Sequence, residues 1–146
     1  SDENRYEVLS TDEVWLVIDL DPDKLETRVP QIEEVIQYCS TQENWFIALS
    51  NPCFEVWLYY HLNRNKPTAE GLEICTPWKS LVNRLIPGGF DCRKHPILLN
   101  DAISNSEANY TSENIYPNNS ETNLFKLGKS IYDLTKEKLN SLLDSK

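Results

Sequence analysis

The chain has 146 residues and carries 23 acidic against 14 basic side chains, a formal charge of −9 at pH 7. Hydrophobic residues make up 40% and charged residues 25%, so one buried core is expected and disorder is not. The acidic balance excludes a generic cationic binder held to nucleic acid by phosphate contacts over its whole surface, and no apolar run approaches the roughly 20 residues of a membrane helix. A single domain over 1–146 is predicted, with 1–13 as a weakly ordered lead-in and 109–120 as an exposed loop.

In chain order, Arg5 to Ser10 reads as a weak strand at most. Val14 to Leu20, Val-Trp-Leu-Val-Ile-Asp-Leu, is apolar on both alternating faces, the pattern of a strand buried on both sides in a mostly parallel sheet. Asp21-Pro22-Asp23 ends it, and Asp23 with Glu26 has the spacing of a capping box. Pro30 should break or restart the helix that follows, and Ile32, Val35, Ile36 and Cys39 give a helical stripe over about 30–40. Trp45 to Leu49 reads as a second strand, completing a βαβ unit with parallel strands.

Asn51-Pro52 reads as an N-cap followed by a first helical position, opening a helix over about 52–62. Thr76-Pro77 gives the same signal, and Trp78, Leu81, Val82, Leu85 and Ile86 form a stripe that stops at Pro87-Gly88-Gly89. Pro96 opens a helix to about Ser106. A last helix over about Thr122 to Leu143 would face inward through Leu124, Leu127, Ile131 and Leu134. The fold class is therefore α/β, with a helical second half. Two strong strands cannot make a stable sheet. Further strands are either hidden in the middle of the chain or belong to a missing N-terminal piece. In the second case an exposed strand edge would lead to homo-oligomers.

Cys39, Cys53, Cys75 and Cys92 form no C-x-x-C pair, which argues against structural zinc and for free thiols in a reduced, cytoplasmic protein. Charge is unevenly spread. Residues 1–60 hold 13 acids and 3 bases, net −10, while 61–95 hold 3 acids and 6 bases, net +3. The basic residues are Arg64, Lys66, Lys79, Arg84, Arg93 and Lys94. Carboxylates holding a metal beside cations holding phosphate would produce such a split, as would a solvated surface with chance clustering.

Asp19 and Asp21 close the first strand one residue apart. Period-two alternation would put both on one face, where they could share a divalent cation at the carboxyl edge of the sheet. The competing reading is that these acids are turn formers. Glu55 falls in the first turn of the helix after the second strand, near the same edge. An acid there can serve merely as a helix-dipole partner, but its neighbours Phe54, Val56 and Trp57 argue for placement rather than solubility.

Residues 50–62, Ser-Asn-Pro-Cys-Phe-Glu-Val-Trp-Leu-Tyr-Tyr-His-Leu, together with Val14–Asp21, resemble RloB-like proteins. Weaker echoes lie at Lys94, at Asp101-Ala102-Ile103, and at Pro117 with Thr122-Asn123-Leu124, so the resemblance spans about 14–135. It implies a Toprim-like (Rossmann-like) fold and a place in bacterial restriction and abortive-infection loci, beside an AAA- or ABC-type ATPase. It also implies Mg²⁺- or Mn²⁺-dependent nuclease chemistry on DNA or RNA, as part of anti-phage defence. On that reading Asp19 and Asp21 bind metal, and Glu55 binds a second metal or orients the attacking water. Lys94 and His61 contact the scissile phosphate. The alternative is a non-catalytic docking or sensor module for the ATPase. The family's N-terminal strand ends in a Glu-Gly-Glu-type element that supplies another metal-binding glutamate. Nothing in 1–13 matches it, so a truncated, catalytically incomplete chain is expected.

Overall fold

The computed structural model describes residues 6–145. Strand β1 (Val14–Asp19) leads through a short 3₁₀ turn (Pro22–Lys24) into α1 (Leu25–Ser40) and back along β2 (Trp45–Asn51). β1 and β2 pair in parallel from Val14↔Trp45 to Asp19↔Ser50, so the expected βαβ unit is present. Next come α2 (Glu55–Tyr60), α3 (Cys75–Leu85), a second 3₁₀ turn (His95–Leu98) and α4 (Leu99–Ala108). The two-residue strand β3 (Glu121–Thr122) and α5 (Phe125–Asp144) complete the described chain. β3 pairs antiparallel with β2, giving the order β1-β2-β3. The fold is α/β, and its small sheet is mixed: the longer β1–β2 pairing is parallel, as expected, and the two-residue β2–β3 pairing is antiparallel. The third strand lies late in the chain; Tyr6–Ser10 forms none, and Arg5 lies outside the described residues.

Alternation along β1 and β2 sorts the core into two layers. Ile18, Ile47 and Leu49 face α1 and pack with Leu20, Ile32 and Ile36. Trp15 and Ala48 face the opposite side, against Trp57, Ala102, Ile103, Leu124 and Phe125 from the later helices and their approach. A third cluster joins α2 to α3 through Val56, Tyr60, Trp78, Leu81 and Val82, with Trp78 and Tyr60 fully buried.

Several helix starts differ from expectation. The Asp23–Glu26 capping box does not form, because Asp23 lies inside the 3₁₀ turn and neither start carries a side-chain cap. Pro30 neither breaks nor restarts α1, which runs through it from Leu25. Asn51 is no cap. It is the last residue of β2, its Nδ2 donates to the Pro117 carbonyl at 2.9 Å, and α2 begins only at Glu55. Of the expected inner face of the last helix, Leu124, just before α5, is buried, but Ile131 is exposed and Leu134 is 86% exposed, because the second half of that helix runs past the core.

The 109–120 segment is a loop anchored at its end, with Pro117 and Ser120 buried. The four cysteines are free thiols, with Cys39 and Cys53 buried as expected. No helix among the described residues is long and apolar enough to cross a membrane.

Candidate functional site

The carboxyl edge of β1 and β2 is built by two turns. Leu20 continues the ladder, its N–H donating to the Ser50 carbonyl at 2.9 Å, and it is buried. Asp21 then leaves the strand with φ +48°, a left-handed conformation that Asp tolerates better than most residues, and its N–H donates to the Pro52 carbonyl at 3.0 Å. Strand alternation therefore runs through Leu20 and is lost at Asp21. The Asp21 carboxylate is held from the 3₁₀ turn and α1, 3.3 Å from Lys24 Nζ and 3.7 Å from Arg28 Nη1.

Across the edge, Cys53 and Phe54 carry the chain into α2. The N–H groups of Val56 and Trp57 donate to the Cys53 and Phe54 carbonyls at 3.1 and 2.9 Å, which sets Glu55 in the first turn. Cys75, the first residue of α3, closes the rim with its thiol 3.6 Å from the Pro52 carbonyl oxygen.

These groups feel one another's charge. Burial pushes the Asp19 carboxyl above its usual range, and the charges of Glu55 and Asp21 push the same way. The Phe54 backbone N–H and the Arg28 guanidinium oppose the rise without cancelling it. Burial also raises the Cys53 thiol, with Glu55 and Cys75 acting in the same direction, and burial raises Cys75, near which Asp21, Asp19 and Glu55 add negative charge. Both thiols are thus held protonated, which makes them poor nucleophiles. The rim is a place where negative charge is under-compensated.

Two cavities open beside it, on either side of Leu58 and Phe90. One, of about 320 Å³, is lined by Glu55, Lys79, Val82 and Asn83 besides those two. The other, of about 390 Å³, is apolar and includes Phe54, Trp57, His61 and Ile131. Phe90 is placed over α2 by the turn at Gly88 and Gly89, whose φ of +84° and +78° glycine adopts without steric cost.

Residues 2–131 match the model of the RloB-like protein family. The chain belongs to the RloB-like family. Neither the curated proteins nor the solved structures compared with it gave a significant match.

In this RloB-like chain the two sequence stretches that carried the resemblance, Val14–Asp21 and Ser50–Leu62, supply the carboxylates of one rim. Among the described residues no three His, Cys, Asp or Glu side chains form a ready-made metal cage. The donor chemistry nevertheless fits Mg²⁺, which commonly takes one or two carboxylates and completes its shell with water and substrate phosphate. Asp19 and Glu55 are such a pair, and the Asp19 carboxyl, raised first by burial and further by the charge of Glu55, would be stabilised in its ionised form by a cation. Asp21, already paired with Lys24 and Arg28, is the least available of the three.

His61 and Lys94 do not line the Glu55 cavity. His61 is 5% exposed, and its Nδ1–H donates to the Trp57 carbonyl at 2.9 Å. Burial lowers its pKa, so it is neutral on the apolar side of α2. Lys94 is exposed at the start of the second 3₁₀ turn and lines neither cavity.

Sequence reasoning missed Lys79 as a site residue. It was visible only as one base in the cationic block, although its i+4 spacing from Cys75 puts it on the rim side of α3. It also missed Phe90, which follows a stop signal and lies in no periodic pattern.

Proposed function

We propose that this chain is the Mg²⁺-dependent, phosphodiester-cleaving component of a bacterial anti-phage defence system. Its sheet edge works as a Toprim-like metal platform, and an AAA- or ABC-type ATPase acts with it. The observation that supports this most is Asp19, a carboxyl at the carboxyl edge of a parallel strand pair whose pKa is raised by burial and by the charge of Glu55, in a chain of the RloB-like family. Asp19 and Glu55 would hold the metal, and Asp21 would join them on release from Lys24 and Arg28. When bound, the metal supplies charge neutralisation at the phosphoryl oxygens and a more acidic water.

The chain's own part is to place the two carboxylates on separate rigid elements, β1 and α2, and to keep the Cys53 and Cys75 thiols neutral beside them. His61, buried and neutral, shapes the apolar wall. Lys94, exposed, serves as an outer contact for the nucleic-acid backbone.

One observation favours the second reading, a non-catalytic docking or sensor module for the ATPase: Asp21 is already ion-paired, and no three-ligand cage exists among the described residues. A phage-protection assay with the ATPase present separates the two. Asp19→Asn and Glu55→Gln keep shape and remove charge. Loss of protection and of Mg²⁺-dependent cutting, with the fold retained, supports the nuclease. Full protection by both variants would sink it in favour of the docking module.

A further inference from the structure

The cationic side chain in the lining of the Glu55 cavity is Lys79. This residue lies on α3 one turn after Cys75 and lines the same cavity of about 320 Å³ as Glu55, Asn83 and Phe90. Lys79 is exposed and has no ion-pair partner within 4 Å among the described residues, unlike Lys24, Lys66, Arg93 and Lys129, each of which is paired. An ammonium group that lines the same cavity as a carboxylate, without closing a salt bridge to it, is available to an anion that enters the cavity.

The neighbouring cavity has a different character. Its wall is aromatic, with Phe54, Trp57, His61 and Phe90, and Phe54 is 39% exposed at its mouth although it directly precedes Glu55. Phe90 packs its ring 4.9 Å from that of His61, so its position is fixed from behind. Leu58 and Phe90 line both cavities, so the cationic and aromatic compartments adjoin.

An ammonium beside a carboxylate, adjoining an aromatic compartment with an exposed ring, matches the parts of one nucleotide. The volumes, about 320 and 390 Å³, sit at the small end of ligand pockets and leave no room for a duplex. We infer that the α2–α3 cleft is a subsite for one unpaired nucleotide of a single-stranded nucleic acid, with Lys79 holding its phosphate beside Glu55 and Phe54 stacking on its base in the adjoining aromatic cavity.

This rests on the cleavage reading above and narrows it to single-stranded or locally opened substrates. Lys79 is the charge that admits a phosphate next to an acidic rim. Phe54 supplies sequence-tolerant stacking, because every base presents a π-face.

The test is fluorescence anisotropy with two labelled probes, a single-stranded oligo(dT) and a single-stranded oligo(U). Ca²⁺ replaces Mg²⁺, so that binding is read without cutting. Lys79→Ala should weaken binding of both probes about tenfold at low salt and reduce the log–log salt slope by about 0.7, the loss of one phosphate contact on a single strand. Lys79→Arg should restore most of it. Phe54→Ala and Phe54→Leu should each weaken binding about tenfold, while Phe54→Tyr, which keeps the π-face, should not. Lys136→Ala, on the far half of α5, is the control and should change nothing.

If the unmodified chain binds and the Lys79 and Phe54 variants bind equally well, the subsite is wrong and the cleavage reading stands. Tighter binding of the matching duplexes than of the single strands would also overturn it. If the unmodified chain binds neither probe, the subsite is wrong. Mg²⁺-dependent cutting of the same probes, with Asp19→Asn alongside, then shows whether the cleavage reading falls with it.

Discussion

Lys66 Nζ lies 2.6 Å from a carboxylate oxygen of Glu121, whose side chain is wholly buried. The same carboxylate accepts from the backbone N–H groups of Thr111 at 3.0 Å, Ser112 at 3.2 Å and Asn118 at 3.1 Å. One acid thus ties the 109–120 loop and the 61–74 connection to β3. Burial alone would push the Glu121 carboxyl up; the Lys66 and Thr111 donors outweigh it, and the net direction is down.

Glu121→Gln should therefore destabilise the fold by about 2 kcal/mol in urea unfolding, because it removes a charge-assisted bond and leaves a donor facing donors. Lys66→Met should cost less, since the three backbone donors remain. The pH sign follows from the lowered carboxyl. Its stabilisation is full above the ordinary value of 4.5 and is lost as pH falls through the lower folded value. The difference between the unmodified chain and Glu121→Gln should shrink only in that acid range.

Asp19 has the opposite sign. Its folded carboxyl is raised above the ordinary value of 3.8, so its contribution is favourable below that value and is lost as pH rises through the folded one. At neutral pH the ionised group burdens the fold. Asp19→Asn should raise Tm by about 2 °C at pH 7.5, a fraction of a kcal/mol in a domain of this size, and by nothing near pH 3. Thermal melts at both pH values check it.

If Asp19 and Glu55 hold Mg²⁺, the ion binds the folded chain and not the unfolded one. A concentration about tenfold above its Kd should then raise Tm by about 3 °C. Asp19→Asn and Glu55→Gln should each abolish that rise, as read by differential scanning fluorimetry with and without the ion.

Gly128 lets α5 approach α4 and α2. A Cβ there would sit 2.8 Å from Ile103 Cγ1 and 3.0 Å from Trp57 Cη2. Alanine elsewhere in a helix is favoured over glycine by about 1 kcal/mol. Here overpacking outweighs that gain, and Gly128→Ala should be destabilising by about 1–2 kcal/mol in denaturant unfolding.

Leu134, by contrast, is on the part of α5 that has run past the core. Leu134→Lys should leave stability within about 0.5 kcal/mol of the unmodified chain.

What the sequence shows clearly is what periodicity encodes. β1, β2, α1, α3 and α5 each carry long apolar patterns, and their type and order can be read directly from them. The capping-box reading of Asp23 fails because the chain makes a 3₁₀ turn there, and that of Asn51 because β2 keeps the residue. At Asp23 a competing local turn wins, closed by the Lys24 N–H on the Asp21 carbonyl; at Asn51 long-range strand pairing and the bond to Pro117 override the local signal. β3 cannot be read at all. Two residues have no period, and this strand is held by long-range side-chain bonds, Ser50 Oγ to Thr122 Oγ1 at 2.7 Å and the Leu49 N–H to Asn123 Oδ1 at 2.7 Å. At the site, Asp19 and Glu55 are legible because each ends or begins a strongly patterned element. Lys79, Phe54 and Phe90 are not, because their partnership exists only once α2 and α3 are side by side.

The two edges of the small sheet are not equivalent. Beyond β2, β3 is sealed in by the Glu121 network and the buried Thr122 and Asn123. Beyond β1 no strand pairs among the described residues, and Val17, two residues before Asp19 on the same face, is 44% exposed. The sheet can therefore lengthen in one direction only. Any strand that joins it, whether from another copy or from a different protein, must run alongside β1 and bring its own side chains next to Asp19. Assembly at this edge and chemistry at the rim cannot be independent: whatever docks there also rewrites the charge around Asp19.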